Sequence, residues 1–242
     1  MKLTFLGTKG LIDPETRLHN MHASLLVSYY NTYVMIDCGE SWRDMVYDIP
    51  ADTIVLTHAH PDHAFGLKDG APCPVYTTQD TCDSEYLQHF DIKIGKIITE
   101  REPFRIGDIT FEAFPVLHST RAPAVGYRIT AGDVKIFYVP DVAYIPDRSQ
   151  AFADISVYIG DGSTVKTSFI RKPGDVIIGH IPVQTQLTWC QKENVPKMII
   201  THCGEEIVTS DERTLGAEIR DMAAERGVEV EIAHDGMEKV LR

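Results

Sequence analysis

Residues 58–63 read His-Ala-His-Pro-Asp-His and follow, after Thr57, on the apolar run Ile54-Val55-Leu56. A short apolar run closed by polar residues reads as a buried strand that ends there. Strand side chains alternate, so His58 and His60 point to one side. Pro61 has no N–H to give a strand ladder and turns the chain, placing Asp62 and His63 on that turn at a predicted helix start. Four ligand-capable side chains are thus held at one rigid strand end, and imidazole with carboxylate suits Zn²⁺, Mn²⁺ or Fe²⁺. A cluster of this kind constrains the fold, because further ligands have to arrive from elsewhere in the chain.

Three other segments share the same grammar of apolar strand, one ligand-type residue, then loop. They are "FPVLHS" with His118, "FYVPDV" with Asp141 and "MIITHCG" with His202. Strand patterns recur throughout, over 2–6, 24–29, 32–37, 53–58, 108–116, 125–130, 134–139, 155–161, 195–202, 228–233 and 237–242. These segments are rich in β-branched and aromatic residues and are bounded by Gly, Pro, Asp or Asn. The last two are joined by His234-Asp235-Gly236, a tight-turn signal. Helical periodicity predicts helices over 211–227, 183–194 and 79–90, the first capped by Ser210 or Asp211 and ended by Gly227. Both halves of the chain contain an apolar strand ending in Thr-His, at Thr57-His58 and Thr201-His202. No linker or charge block divides the sequence, so one domain over 1–242 is expected. Its fold class is α+β, two sheets packed face to face with helices outside, and the ligand-type residues gather on one rim.

The formal charge of −12 disfavours a general nucleic-acid-binding surface, which needs clustered Lys and Arg. It leaves room for a small phosphate ligand held by a few local charges. No run reaches the length of a membrane span, and the opening "MKLTFLGTKG" has no signal-peptide apolar stretch. Five scattered cysteines without a CxxC pair fit reduced thiols and a cytoplasmic setting.

Taken together, "FLGTKG", "MIDCG", "LTHAHPDH", "FPVLHS", "VPD", "IGDG", "IIGH", "ITHCG" and "HDGM" resemble the metallo-β-lactamase-fold hydrolases. The likeness is to the branch holding the tRNase Z-type nucleases and the cyclic phosphodiesterases of phosphonate metabolism. It implies an αββα sandwich and a homodimer. It implies that His58, His60 and His118 hold one metal, Asp62, His63 and His202 the second, and Asp141 bridges them. It also sets His180 of "IIGHIP" where this branch keeps a non-ligand histidine near the scissile phosphate. Two departures stand out. Only 22 residues separate His118 from Asp141, which leaves little room there for the tRNA-gripping arm of tRNA-processing members. Residues 8–23 contain no cysteine, and His19 and His22 stand where the phosphonate-pathway members carry a cysteine-rich structural zinc site.

Two divalent cations about 3.5–4 Å apart can share one hydroxide and clamp a phosphoryl group. Asp62 and His180 are the catalytic candidates, Asp62 to orient or deprotonate the water and His180 to protonate the leaving alkoxide. Arg121, three residues past His118, is a candidate contact for phosphate oxygens, and Lys166, Arg171 and Lys172 form a small basic stretch. The expected activity is a dinuclear phosphodiesterase acting on a small substrate such as a cyclic nucleotide or cyclic sugar phosphate, with two Zn²⁺ or Mn²⁺, or Fe²⁺, as cofactors. The competing readings are a nuclease processing RNA ends and a thioester or lactone hydrolase on the same cluster.

Overall fold

The computed structural model describes residues 1–174 and 176–242. Two sheets of seven strands each make up the centre. The first contains β1 (Lys2–Gly7), β2 (Ser24–Tyr29), β3 (Thr32–Ile36), β4 (Thr53–Val55), β5 (Val75–Thr78) and β6 (Ile94–Ile98). The second contains β7 (Phe104–Ile106), β8 (Ile109–Val116), β9 (Ala124–Ala131), β10 (Val134–Tyr138), β11 (Val157–Asp161), β12 (Lys197–Thr201) and β13 (Glu229–Ile232). β14 (Met237–Val240) returns to the first sheet and pairs antiparallel with β1. The sheet orders are β14-β1-β2-β3-β4-β5-β6 and β13-β12-β11-β10-β9-β8-β7.

The period-2 pattern decides which side chains meet. Along β11, Val157 and Ile159 enter the core between the sheets, where Phe5, Val27 and Val55 of the first sheet meet them. Tyr158, between those two, joins the outer cluster under the helices α4 (Val183–Lys192) and α6 (Glu212–Ala224). The outer face of the first sheet is covered by Ala64 of the short helix α1 (Pro61–Ala64) and by Trp42, Val46, Leu67 and Leu87 from the turns around it, while α2 (Gln79–Cys82) follows β5. The four layers are those of an αββα sandwich. Two further short helices among the described residues are α3 (Arg148–Ala151) and α5 (Glu205–Thr209).

α6 follows the sequence pattern closely. Asp211 caps it by accepting from Thr214 N at 2.9 Å, Leu215, Ile219 and Met222 form its buried face, and Gly227 follows with φ of 67°. The helix predicted over 79–90 stops at Cys82, because beyond it the backbone closes i−3 turns onto Ser84 and Leu87. The His234-Asp235-Gly236 turn is present, but it does not close a hairpin. β13 and β14 lie in different sheets, so the turn carries the chain across the sandwich. Asp235 pins this crossing by accepting from Thr8 Oγ1 and from the backbone N–H groups of Asn20 and Met21.

The topology explains where the site forms. β10, β11 and β12 run parallel, and β8 shares their direction through antiparallel β9. Their C-terminal ends therefore share one rim of the second sheet. The end of β4 meets the same rim, tied there by Val125 N donating to Thr57 O and the Tyr127 hydroxyl donating to Leu56 O.

Candidate metal centre and active-site cleft

His58 lies just past β4 and is fully buried. His60 is the N-cap residue of α1, with Pro61 at the first helical position, and Asp62 and His63 occupy its single buried turn. His118 follows β8, Asp141 follows β10 and His202 follows β12. The six buried ones, His60 excepted, are at most 6% exposed.

Their ring nitrogens and carboxylate oxygens converge. His60 Nδ1 stands 3.0 Å from His58 Nε2 and 3.1 Å from His118 Nε2. Asp141 Oδ2 is 3.2 Å from His58 Nε2 and 2.9 Å from His63 Nε2, while Asp141 Oδ1 is 3.1 Å from His202 Nδ1. His202 Nε2 is 3.0 Å from Asp62 Oδ2. Two groups result, His58-His60-His118-Asp141 and Asp62-His63-Asp141-His202, each with ligand atoms within 4.8 Å of one another. A third, Asp141-Asp161-His180-His202, overlaps them.

The outer nitrogens of these rings are tied to the protein. His63 Nδ1 donates to Asp37 Oδ2 at 2.8 Å, and His118 Nδ1 donates to the carbonyl of Gly179 at 3.2 Å. Each bond fixes a tautomer whose Nε2 lone pair faces inward. His63 Nε2 and Asp141 Oδ1 are buried without a hydrogen-bond partner. Buried polar atoms are otherwise almost always partnered, so donors brought together without hydrogen-bond geometry fit shared divalent cations.

Residues 32–203 match the family described as the β-lactamase superfamily domain. The chain belongs to this family. Ribonuclease Z of Methanopyrus kandleri is 30% identical over 149 residues, covering 52% of the chain and 49% of that protein. The chain thus spans about half the length of this curated relative. Among solved structures, the metallo-β-lactamase fold protein YhfI from Bacillus subtilis superposes with a TM-score of 0.76 at 18% identity, over 98% of each chain. A diphosphatase of the PhnP family superposes with a TM-score of 0.73 at 18% identity, over 100% of this chain and 98% of that one. These likenesses show the metallo-β-lactamase fold.

Charges in the family cluster divide between its halves. Burial pushes the His58 and His118 imidazoles down, and burial with His118 alongside takes His60 to about 4. Burial acts the same way on His202, but Asp141, Asp161 and Asp62 outweigh it and carry the ring up to about 10. His63 is likewise driven upward against burial by Asp62, Asp141 and Asp37.

His180 sits in the loop before α4. Its Nδ1 donates to Asp161 Oδ2 at 2.8 Å and lies 3.4 Å from Asp141 Oδ1. Burial lowers its pKa, but Asp161 more than offsets this and the ring stays above its ordinary value. Asp161, the last residue of β11, also accepts from Val142 N and Ser163 N, so one carboxylate fixes both the Asp141 loop and His180. Asp37, just past β3, accepts from Thr57 N, Thr57 Oγ1 and His63 Nδ1. Neither aspartate is among the residues singled out from the sequence, yet both end apolar strand segments, over 32–37 and 155–161. The grammar applied to His118, Asp141 and His202 finds them too.

A cavity of about 400 Å³ opens onto the cluster, its wall including His60, Asp62, His118, Asp141, His180 and His202. Arg121 is exposed and is not among the described residues lining it. Arg171 instead lines an adjoining lobe of about 580 Å³ beside His60, His118 and His180. Lys166 is turned away, paired with Glu218. His19 is buried against Thr8, and His22 accepts from Ser41 N through Nδ1. Cys38 and Cys203 are buried, and burial pushes both thiols up.

Proposed function

We propose that the chain is one metal-dependent hydrolase domain that cleaves small phosphodiesters. His58, His60 and His118 would hold one divalent cation and Asp62, His63 and His202 the second, with Asp141 shared between them. Bound there, Zn²⁺, Mn²⁺ or Fe²⁺ supplies a water of lowered pKa and positive charge to offset the phosphoryl oxygens. Asp62, on the cavity wall, orients that water and takes its proton. His180 gives a proton to the leaving alkoxide, Asp161 holding its ring in place and in the protonated form.

The observation that carries this reading is His180 with its carboxylate partner at the edge of the cluster. An alkoxide leaves as a strong base, so a held proton donor suits a phosphodiester better than it suits a thioester, whose thiolate leaves readily. The smaller substrate is supported by the cavity of about 400 Å³, whose described lining contains no Lys or Arg. Hydrolysis of bis-(p-nitrophenyl) phosphate by the Zn²⁺- or Mn²⁺-loaded protein tests the reading. Replacing His180→Ala is expected to lower kcat on the order of 10²-fold or more on a diester with an alkoxide leaving group, such as a cyclic nucleotide, and to spare bis-(p-nitrophenyl) phosphate, whose p-nitrophenolate leaves without a proton. Turnover of thioesters or lactones that survives this change, with no turnover of any phosphodiester, would replace the proposal.

Processing of RNA ends is the second reading, favoured by the identity to ribonuclease Z. It requires salt-sensitive binding of short RNA, which a gel shift measures directly.

A further inference from the structure

The cleft has two lobes that differ in charge, and the loop carrying His180 builds the boundary between them. Phe169 N donates to His180 O at 3.2 Å, Arg171 and Ile178 exchange backbone hydrogen bonds of 2.9 Å, and Gly179 N donates to His118 O at 2.8 Å. Residues 169–171 are therefore fastened to the segment that positions His180. Phe169 and Arg171 both line the larger lobe. Phe169, 52% exposed, lines both lobes.

In the larger lobe the polar side chains beyond His60, His118 and His180 are Ser119, Ser168 and the exposed Arg171. In the smaller lobe the wall beyond the cluster holds Leu11, 61% exposed, together with Glu205 and Glu206. Glu206 is already engaged, accepting from Val165 N at 3.0 Å. Among the described residues, the Glu205 carboxylate has no ion pair and no side-chain hydrogen bond. An arginine guanidinium recognises carboxylates and phosphates. A carboxylate beside an aromatic face recognises ammonium groups and hydroxyl donors.

We propose that the cleft sorts the two arms of its substrate by charge. Arg171 takes an arm that ends in an anionic group. Glu205, with Leu11 and Phe169, takes an arm with an apolar stem and an ammonium or hydroxyl end. The substrate class is then an asymmetric phosphodiester, and Glu205 turns away polyanionic arms from its side. The inference rests on the proposed function only in seating a phosphoryl group at the imidazole and carboxylate cluster.

Matched small phosphates test it without turnover. Phosphoglycolate and phosphorylethanolamine are titrated calorimetrically into the metal-loaded protein, with inorganic phosphate as reference. Arg171→Gln is expected to weaken phosphoglycolate about tenfold and to leave phosphorylethanolamine within about twofold, and Glu205→Gln to do the reverse. Both residues are exposed, and unchanged affinity for inorganic phosphate shows that the centre is intact in each variant. Equal effects of both variants on both ligands overturn the proposal, as do no effects, or no binding of any of the three phosphates. If the double dissociation holds while no diester is hydrolysed, the sorting stands and the phosphodiesterase reading falls.

Discussion

Asp37 never reaches the cavity wall, yet it sets what His63 can do. Its carboxylate accepts from Thr57 N at 2.7 Å, from Thr57 Oγ1 at 2.8 Å and from His63 Nδ1 at 2.8 Å. Replacing Asp37→Asn keeps the shape but leaves a neutral amide opposite His63 Nδ1–H. That removes the charge that makes His63 Nε2 a strong donor. Affinity at the half containing Asp62, His63 and His202 is expected to fall about 10–100-fold, the usual effect of losing such a supporting group. The half built on His58, His60 and His118 is expected to lose less, since Asp37 reaches it only through Thr57 Oγ1, which stands 3.0 Å from His58 Nδ1. Competition with a chromophoric chelator reads the two halves separately, and equal loss from both refutes the assignment. At this scale the sequence was legible where a residue type carries its own chemistry. His58 through His63 announce themselves, whereas Asp37 and Asp161 look like ordinary strand-end aspartates until the fold brings an imidazole to each.

The strands built from near-continuous apolar, β-branched and aromatic runs were readable, because burial on both faces leaves such a run, bounded by turn residues, in the sequence itself. β8, β9, β10 and β12 lie within a residue or two of their predicted spans. β5, β6 and β7 were not read. β7 has three residues, β5 lies directly after Pro74, and β6 mixes Gly95 with exposed Lys96 and Ile97, so pairing with neighbours makes these strands rather than local preference. The turn at 234–236 shows the same limit, since a tight turn does not say which sheet receives the next strand. A close approach between elements gives the prediction here. A Cβ on Gly39 would lie 2.1 Å from the carbonyl oxygen of Asp62, which is backbone and cannot rotate away. Gly39→Ala is expected to push α1 outward, destabilise the fold by about 1–3 kcal/mol and weaken metal binding. Urea unfolding with parallel metal titration checks both, and an unchanged midpoint with full metal content contradicts the packing argument.

Across the whole molecule, the centre joins the two sheets. His58, His60, Asp62 and His63 come from the first, and His118, Asp141 and His202 from the second, so cations held between them as proposed would brace the rim of the sandwich. Ligand bound only by the folded state at about 100 times Kd adds about 2.7 kcal/mol, and a chain of this size gains about 2–4 °C in Tm per kcal/mol. Each cation is therefore expected to raise Tm by about 5–11 °C, and a chelator to reverse it. The size of the rise depends on pH, because without cations protons occupy the second half. His202 has its folded pKa raised from 6.5 to about 10, chiefly by Asp141 working against burial, and His63 is raised in the same way. A raised folded pKa contributes stability that is fully present below 6.5 and disappears as pH climbs toward 10. Metal uptake has to displace those protons, whereas His58, His60 and His118 are lowered and have none to give at neutral pH. The metal-free protein is thus expected to lose stability between pH 6.5 and 9 while the loaded protein holds steady, so that the gap between their Tm values widens with pH. At pH 6 the cation of the Asp62-His63-His202 half is the first to be lost. Scanning calorimetry of both forms across this range measures the gap, and a gap that narrows as pH rises would show that protons and cations do not compete for these imidazoles.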